Sequence, residues 1–268
     1  MLSYQHAFHA GNHADLLKHY VLSFVLNSLN KKDKPYTFFD THSGSGLYDL
    51  YDNRNLKTKE AEKGIITLLS KNNIPPELND YLNIIKNFSN KNYYPGSPLI
   101  ENFLMRKDDI QILSELHPQE IQNLEKSIKN YKSDLQIQNL AEHEIQVHNR
   151  NGFEMIKALT PPKTKRGGVL IDPSYEEKKD YDDCTKAICA INKKWSNGII
   201  LLWYPLLLHR ETEINNMISA IINSANVVNQ NTEILNLQLC VNNKNSHLET
   251  SLENLNSNNP PRLYGSGM

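Results

Sequence analysis

The sequence predicts an α/β protein built on a largely parallel, doubly wound sheet. Two observations predict it. From residue 97 onward, short apolar runs alternate with longer stretches of helical periodicity, as strands and crossover helices do. Two of the runs also stop abruptly at turn formers, YTFFD before THSGSG and GGVLIDP before SYEE. In such sheets ligands sit at the carboxyl ends of strands, where the strand order reverses.

The elements follow in order. Residues 13 to 29, HADLLKHYVLSFVLNSL, carry apolar positions at helical spacing, with Asn12 near the start. A short strand at 36 to 40 leads into the glycine-rich THSGSG. Residues 53 to 92 are rich in Lys, Asn and Glu, with amphipathic stretches near 57 to 70 and 78 to 89 around Pro75-Pro76, and read as a helical insertion. After YYPGSP come a helix at 97 to 106, a strand at 109 to 116 and a helix from Pro118 to about 130. A strand at 144 to 149, a short helix from 152, a strand at 167 to 173 and a helix over 177 to 192 continue the alternation. The last units are a strand at 197 to 205, a helix over 209 to 224 and a strand at 232 to 241. Residues 242 to 262, Asn- and Ser-rich without periodicity, read as a loop before LYGSGM.

With 268 residues, 39% hydrophobic and 22% charged, the chain belongs to the folded globular class. Nothing approaches a membrane span and the N-terminus is too polar for a signal peptide, so no membrane partner and a cytoplasmic location are expected. Three cysteines at unhelpful spacing suggest reduced, structural thiols. A net charge of -1 excludes binding nucleic acid by bulk charge, and leaves it to local patches such as Lys31 to Lys34, Arg54 to Lys59 and Lys163 to Arg166. His9 and His13 are four apart, but Gly11 and Asn12 intervene and nothing completes a ligand set, so no metal is expected.

Two stretches carry chemistry. In Asp40-Thr-His42-Ser-Gly44-Ser-Gly46 the glycines would let the backbone approach a cofactor, and Glu115 ends the next strand, where an acid commonly takes ribose hydroxyls. In Asp172-Pro173-Ser174-Tyr175 a carboxylate and a proline carbonyl can accept both hydrogens of an exocyclic amine, with Tyr175 stacked on the attached ring. An aniline-like nitrogen needs such acceptors to become nucleophilic, which is the chemistry of methylating a base amine.

Through LSYQHAFHAGNHADLLKH, KPYTFFDTHSGSGLYDL, YYPGSPLI, SELHP, NGF, RGGVLIDPSYE and LLWYP, in that order, the sequence resembles the ribosomal RNA large subunit methyltransferase J family. The resemblance implies a class I S-adenosylmethionine-dependent methyltransferase fold, residues 1–46 and 94–268, with a helical insertion at 47–93. It implies methyl transfer from S-adenosylmethionine to N6 of an adenine in protein-free 23S rRNA, family target adenine 2030, by a monomer with no obligate protein partner. Carried over by position, Lys18, His19, His42, Ser97, Glu115, Asn151, Gly152 and Asp172 would line the cofactor site. Asp172 would accept the amine proton, and Tyr4, Pro173 and Tyr175 would meet the substrate.

Three departures from the family pattern stand out. Ser174 replaces the second proline of Asp-Pro-Pro-Tyr, and Asn151 replaces the aspartate of Asp-Gly. The family's last strand, inserted antiparallel between 197–205 and 232–241, is expected to be missing, which would leave 232–241 without its sheet neighbour. A truncated, non-catalytic relic that binds cofactor or RNA is therefore an alternative. A DNA adenine-N6 methyltransferase uses the same chemistry and stands behind it; a nicotinamide dehydrogenase stands third, because the glycine pattern is wrong.

Overall fold

A computed structural model of the chain describes residues 5–137, 142–229, 232–241 and 263–268. Asn12 caps α1 (His13–Asn30), its side-chain oxygen accepting from the N–H groups of Ala14 and Asp15. β1 (Thr37–Asp40) follows, then β2 (Leu47–Asp49), α2 (Asn53–Thr58), a π-type turn at Glu62–Ile66 running into α3 (Thr67–Leu69), α4 (Asn79–Ser89) and β3 (Tyr93–Pro95). The alternation proper runs α5 (Ser97–Leu104), β4 (Ile110–Ser114), α6 (Pro118–Asp134), β5 (Glu144–His148), α7 (Gly152–Leu159), β6 (Gly167–Ile171), α8 (Lys179–Lys194) and β7 (Ile199–Leu202). It ends with β8 (Tyr204–Leu206), α9 (Glu211–Val228), β9 (Gln238–Cys240) and β10 (Gly265–Gly267).

Five strands form a parallel sheet in the order β5-β4-β1-β6-β7. From β1 the chain winds outward to β4 and β5, then crosses back to build β6 and β7 on the other side. The order therefore reverses at β1, which brings the carboxyl ends of β1, β4 and β6 together. Alternation along each strand supplies two cores. Phe38 and Leu170 face a cluster with Leu22 and Leu26 of α1 and Leu99 and Ile100 of α5. Phe39, Val169 and Ile171 face the opposite cluster, with Ile156 of α7, Ile188 of α8 and Met217 of α9.

Three expectations need correction. The single strand expected at 197 to 205 is two, because the chain turns at Trp203 from the parallel sheet into a separate antiparallel one. The insertion expected to be helical at 47–93 also holds strand: β2 pairs antiparallel with β3, which begins at Tyr93, with Tyr48 opposite Tyr94. The neighbour of 232–241, expected to be missing, is present. β10 lies antiparallel between β8 and β9, with Ser266 opposite Pro205 on one side and Leu239 on the other. A pair of hydrogen bonds between Leu237 and Met268 extends it. Small residues make the insertion possible, since a Cβ on Gly267 would lie 2.0 Å from the ring of Tyr204. Of the strand expected at 232 to 241, only 238–240 is regular.

Candidate active site

β1 ends on Asp40, a fully buried carboxylate. Its Oδ2 accepts from the Ser97 hydroxyl at 2.7 Å and its Oδ1 from the His42 backbone N–H at 3.1 Å. Burial pushes the Asp40 carboxyl up to about 7 against those hydrogen bonds, with Asp172 adding to the rise and Lys18 opposing it. The turn after β1 passes through Gly44 and Gly46 at φ 59° and 76°, backbone that side chains other than glycine rarely adopt. Glu115, just past β4, closes that turn: it accepts from Gly44 N–H at 2.8 Å and from His117 N–H at 2.7 Å. Burial raises its carboxyl from the ordinary value.

Asn151 caps α7, accepting from Glu154 N–H at 3.1 Å. Gly152, the first residue of that helix, is packed so tightly on β1 that a Cβ there would lie 2.0 Å from the Thr41 carbonyl oxygen. His42 is tied to Thr41, Nδ1 to Oγ1 at 2.7 Å, and its ring meets Phe153 edge-on at 5.0 Å. Burial drives its pKa down to about 3, so the ring is neutral at ordinary pH. Ser97, His42, Glu115 and Gly152 are thus all fastened to the exit of β1.

A second group hangs on α1. Lys18 Nζ sits 2.6 Å from Asp172 Oδ2 and 2.9 Å from Asp15 Oδ1. Asp15, with no exposed surface, also accepts from Gly11 N–H at 2.8 Å and meets His6 Nε2 at 2.9 Å. Burial alone would lower the Lys18 ammonium and raise the Asp15 carboxyl. The surrounding opposite charges win, so Lys18 is held above and Asp15 well below its usual range. Asp172, at the end of β6, stays raised because burial outweighs the pull of Lys18. His19 points elsewhere, to the Tyr94 hydroxyl at 2.7 Å, and burial takes it down to about 3.

The substrate residues divide. Asp172 is half-buried at the site's edge and Pro173 beside it is buried. Tyr175, expected to stack on a target ring, is turned inward. Its left-handed backbone, φ 53°, sends the ring between Tyr181 and Trp203, and its hydroxyl donates to the Trp203 carbonyl at 2.8 Å. In this arrangement no face of it is offered to a base. Tyr4 lies outside the described residues. Sequence reading missed Asp15 and gave Asp40 no role, although Asp15 and Lys18 stand three apart on one helix and Asp40 is the last residue of its strand.

Comparison with known proteins fits this geometry. A family model described as "Ribosomal RNA large subunit methyltransferase D, RlmJ" matches residues 33–262. The ribosomal RNA large subunit methyltransferase J of Escherichia coli is 42% identical over 214 residues, 79% of this chain and 72% of that protein. Its Haemophilus influenzae counterpart is 42% identical over 217 residues, 80% and 73% of the two chains. A crystal structure of a Legionella pneumophila protein superposes with a TM-score of 0.73 at 30% identity, covering 97% of this chain and 85% of that one.

Proposed function

Because this chain belongs to the RlmJ family of ribosomal RNA large subunit methyltransferases, and so is an rRNA methyltransferase, we propose that it methylates N6 of an adenine in 23S rRNA with S-adenosylmethionine as donor. The observation that carries the finer reading is the placement of Asp172: a carboxylate at the end of β6, beside the strand-order reversal, aimed by a buried lysine.

The residues suit a zwitterionic, ribose-bearing donor. Gly44 and Gly46 keep the turn after β1 free of side chains, Glu115 is an acceptor for a diol, and the Gly152 contact holds the start of α7 against β1. Asp40 and Ser97 suit an ammonium, and Lys18 a carboxylate. When bound, the sulfonium supplies an electrophilic methyl group. Lys18, His19, His42, Ser97, Glu115, Asn151, Gly152 and Asp172 form the proposed cofactor site, with His19 and Asn151 resting on resemblance to the family.

Asp172 accepts a hydrogen bond from one N–H of the adenine amine and the Pro173 carbonyl from the other. Their pull localises the nitrogen lone pair as its geometry becomes tetrahedral. Methylation leaves that nitrogen positively charged, and the proton it then sheds passes to Asp172. The target base must leave its stack to reach this edge, and protein-free RNA is the proposed substrate form. Tyr4 and Pro173 are kept as substrate contacts; Tyr175 is assigned to holding the loop through Trp203. Of the three departures behind the relic reading, β10 occupies the sheet position expected to be unfilled, while Ser174 and Asn151 remain, and the transfer assay below decides between relic and catalyst.

The test is methyl transfer from labelled S-adenosylmethionine to protein-free 23S rRNA, with nucleoside analysis, beside RNA and DNA oligonucleotides of equal sequence. N6-methyladenosine in RNA that disappears with Asp172→Ala is the expected result. Transfer to another atom, or to DNA in preference, overturns it.

A further inference from the structure

We propose that the amino-terminal edge of the parallel sheet, opposite the candidate active site, is a second RNA-docking surface. It would hold phosphates of a segment other than the one that carries the target base. Three basic runs are visible in the sequence, and the topology gathers two of them. The loop before β1 carries Lys31, Lys32 and Lys34, and the loop before β6 carries Lys163, Lys165 and Arg166. Because β1, β4, β6 and β7 are parallel neighbours, Arg106 and Lys107 before β4 and Lys193 and Lys194 before β7 join the same edge. These four strand approaches, the last turn of α8 included, hold ten cations against Asp33, Asp108 and Asp109, in a chain whose net charge is -1. The rest of the molecule is therefore net acidic, and this edge is its basic pole.

The lysines are displayed on a rigid base. Arg106 donates to the Lys32 and Lys34 carbonyls at 2.9 and 3.1 Å, and Arg166 donates to those of Lys34 and Leu29. The two guanidiniums lie over the Tyr36 ring at 5.6 and 5.7 Å, clamping the loop before β1. Arg106 is also paired with Asp109. Lys31, Lys32, Lys34, Lys163 and Lys165 are exposed, and none has a carboxylate partner among the described residues. Pinned backbone and unneutralised ammonium groups suit a regularly spaced polyanion, since each phosphate contact releases counterions.

The chemistry favours RNA backbone over a lipid surface. Tyr36 and Trp195, the aromatic residues of these four approaches, are buried, so among the described residues these approaches offer no apolar wedge for a bilayer and no ring for stacking single-stranded bases. Strands of five residues, about 17 Å long, and the helices packed on both faces of the sheet stand between it and Asp172. RNA must pass around those helices to touch both edges, which a large folded RNA can do and a short stem-loop docked at Asp172 does not.

The experiment uses the full chain with Lys32→Glu, Lys34→Glu and Lys165→Glu combined, and a matched Lys→Gln set in case charge reversal impairs folding. Affinity for protein-free 23S rRNA is measured across a salt series, beside a short stem-loop carrying the target adenine and vesicles rich in phosphatidylserine. The expected result is about tenfold weaker binding of the long RNA at low salt, with a salt slope shallower by about two to three, and an unchanged stem-loop. Equal affinity and slope for parent and variants overturns the proposal, as does loss confined to the vesicles. The readout is binding, so it stands apart from the site of methylation: failure to form N6-methyladenosine would sink the catalytic reading and leave this one measurable.

Discussion

Lys18 Nζ lies 2.6 Å from Asp172 Oδ2, joining a helix that precedes the sheet to the carboxylate at the end of β6, 154 residues later. A buried ammonium shared between Asp172 and Asp15 opposes the rise that burial imposes on the Asp172 carboxyl and aims it. Replacing Lys18 with Met removes the attraction that opposes burial at Asp172, so the carboxyl rises further. The acid limb of the pH–rate profile should move to higher pH, with kcat at neutral pH down at least about tenfold. Single-turnover methyl transfer across pH measures it; an unmoved profile assigns Lys18 to packing alone.

Asp15 acts through Lys18 and is a positioning residue. Asp15→Asn strips one partner from a buried charge and should destabilise the fold by about 3 kcal/mol. Its depressed carboxyl contributes stability present above the unfolded value and lost as pH falls through the folded one. The gap between parent and variant in urea unfolding should therefore close only in strong acid. A kcat loss with an unchanged KM for RNA would separate positioning from general unfolding.

His19 supplies a test in the same sense over a higher pH window. Its pKa, taken down to about 3 by burial, lies below the unfolded value, so between the two the unfolded chain binds more protons. The stability His19 contributes is present above about pH 6.5 and lost as pH falls toward 3. Relative to His19→Gln, the parent should lose its advantage across that window in urea midpoints. A constant gap would mean that the ring titrates normally.

Glu115 holds Gly44 and His117 through both of its oxygens. Glu115→Ala removes the proposed diol acceptor and the brace on the glycine turn, and should weaken S-adenosylhomocysteine binding at least about tenfold in calorimetry. Unchanged affinity would place the ribose elsewhere.

β10 is tested at Gly267. Gly267→Val forces a side chain into the Tyr204 ring and should lower stability by about 2 kcal/mol, read as a lower urea midpoint with an unchanged slope. No change would mean that β10 adds nothing to the fold.

The parallel sheet was legible in the sequence because its central strands β1 and β6, buried along their whole length, are short apolar runs closed by turn formers. Glu115 and Asp172 were picked out at strand ends for the same reason: the carboxyl end of a parallel strand is where its backbone leaves the ladder and its side chains meet ligands. Local pattern could not show that 197–206 divides at Trp203, since an apolar run has the same composition in either sheet. It could not reveal β10, because Gly-Ser-Gly carries no strand propensity and pairs only where two strands leave a gap for small residues. Only the tertiary structure turned Tyr175 inward, joined Lys18 to Asp15 and Asp172, and gathered separate lysine runs at one edge. Those relations are between residues far apart in the chain, set by which strands lie side by side, and no local periodicity records them.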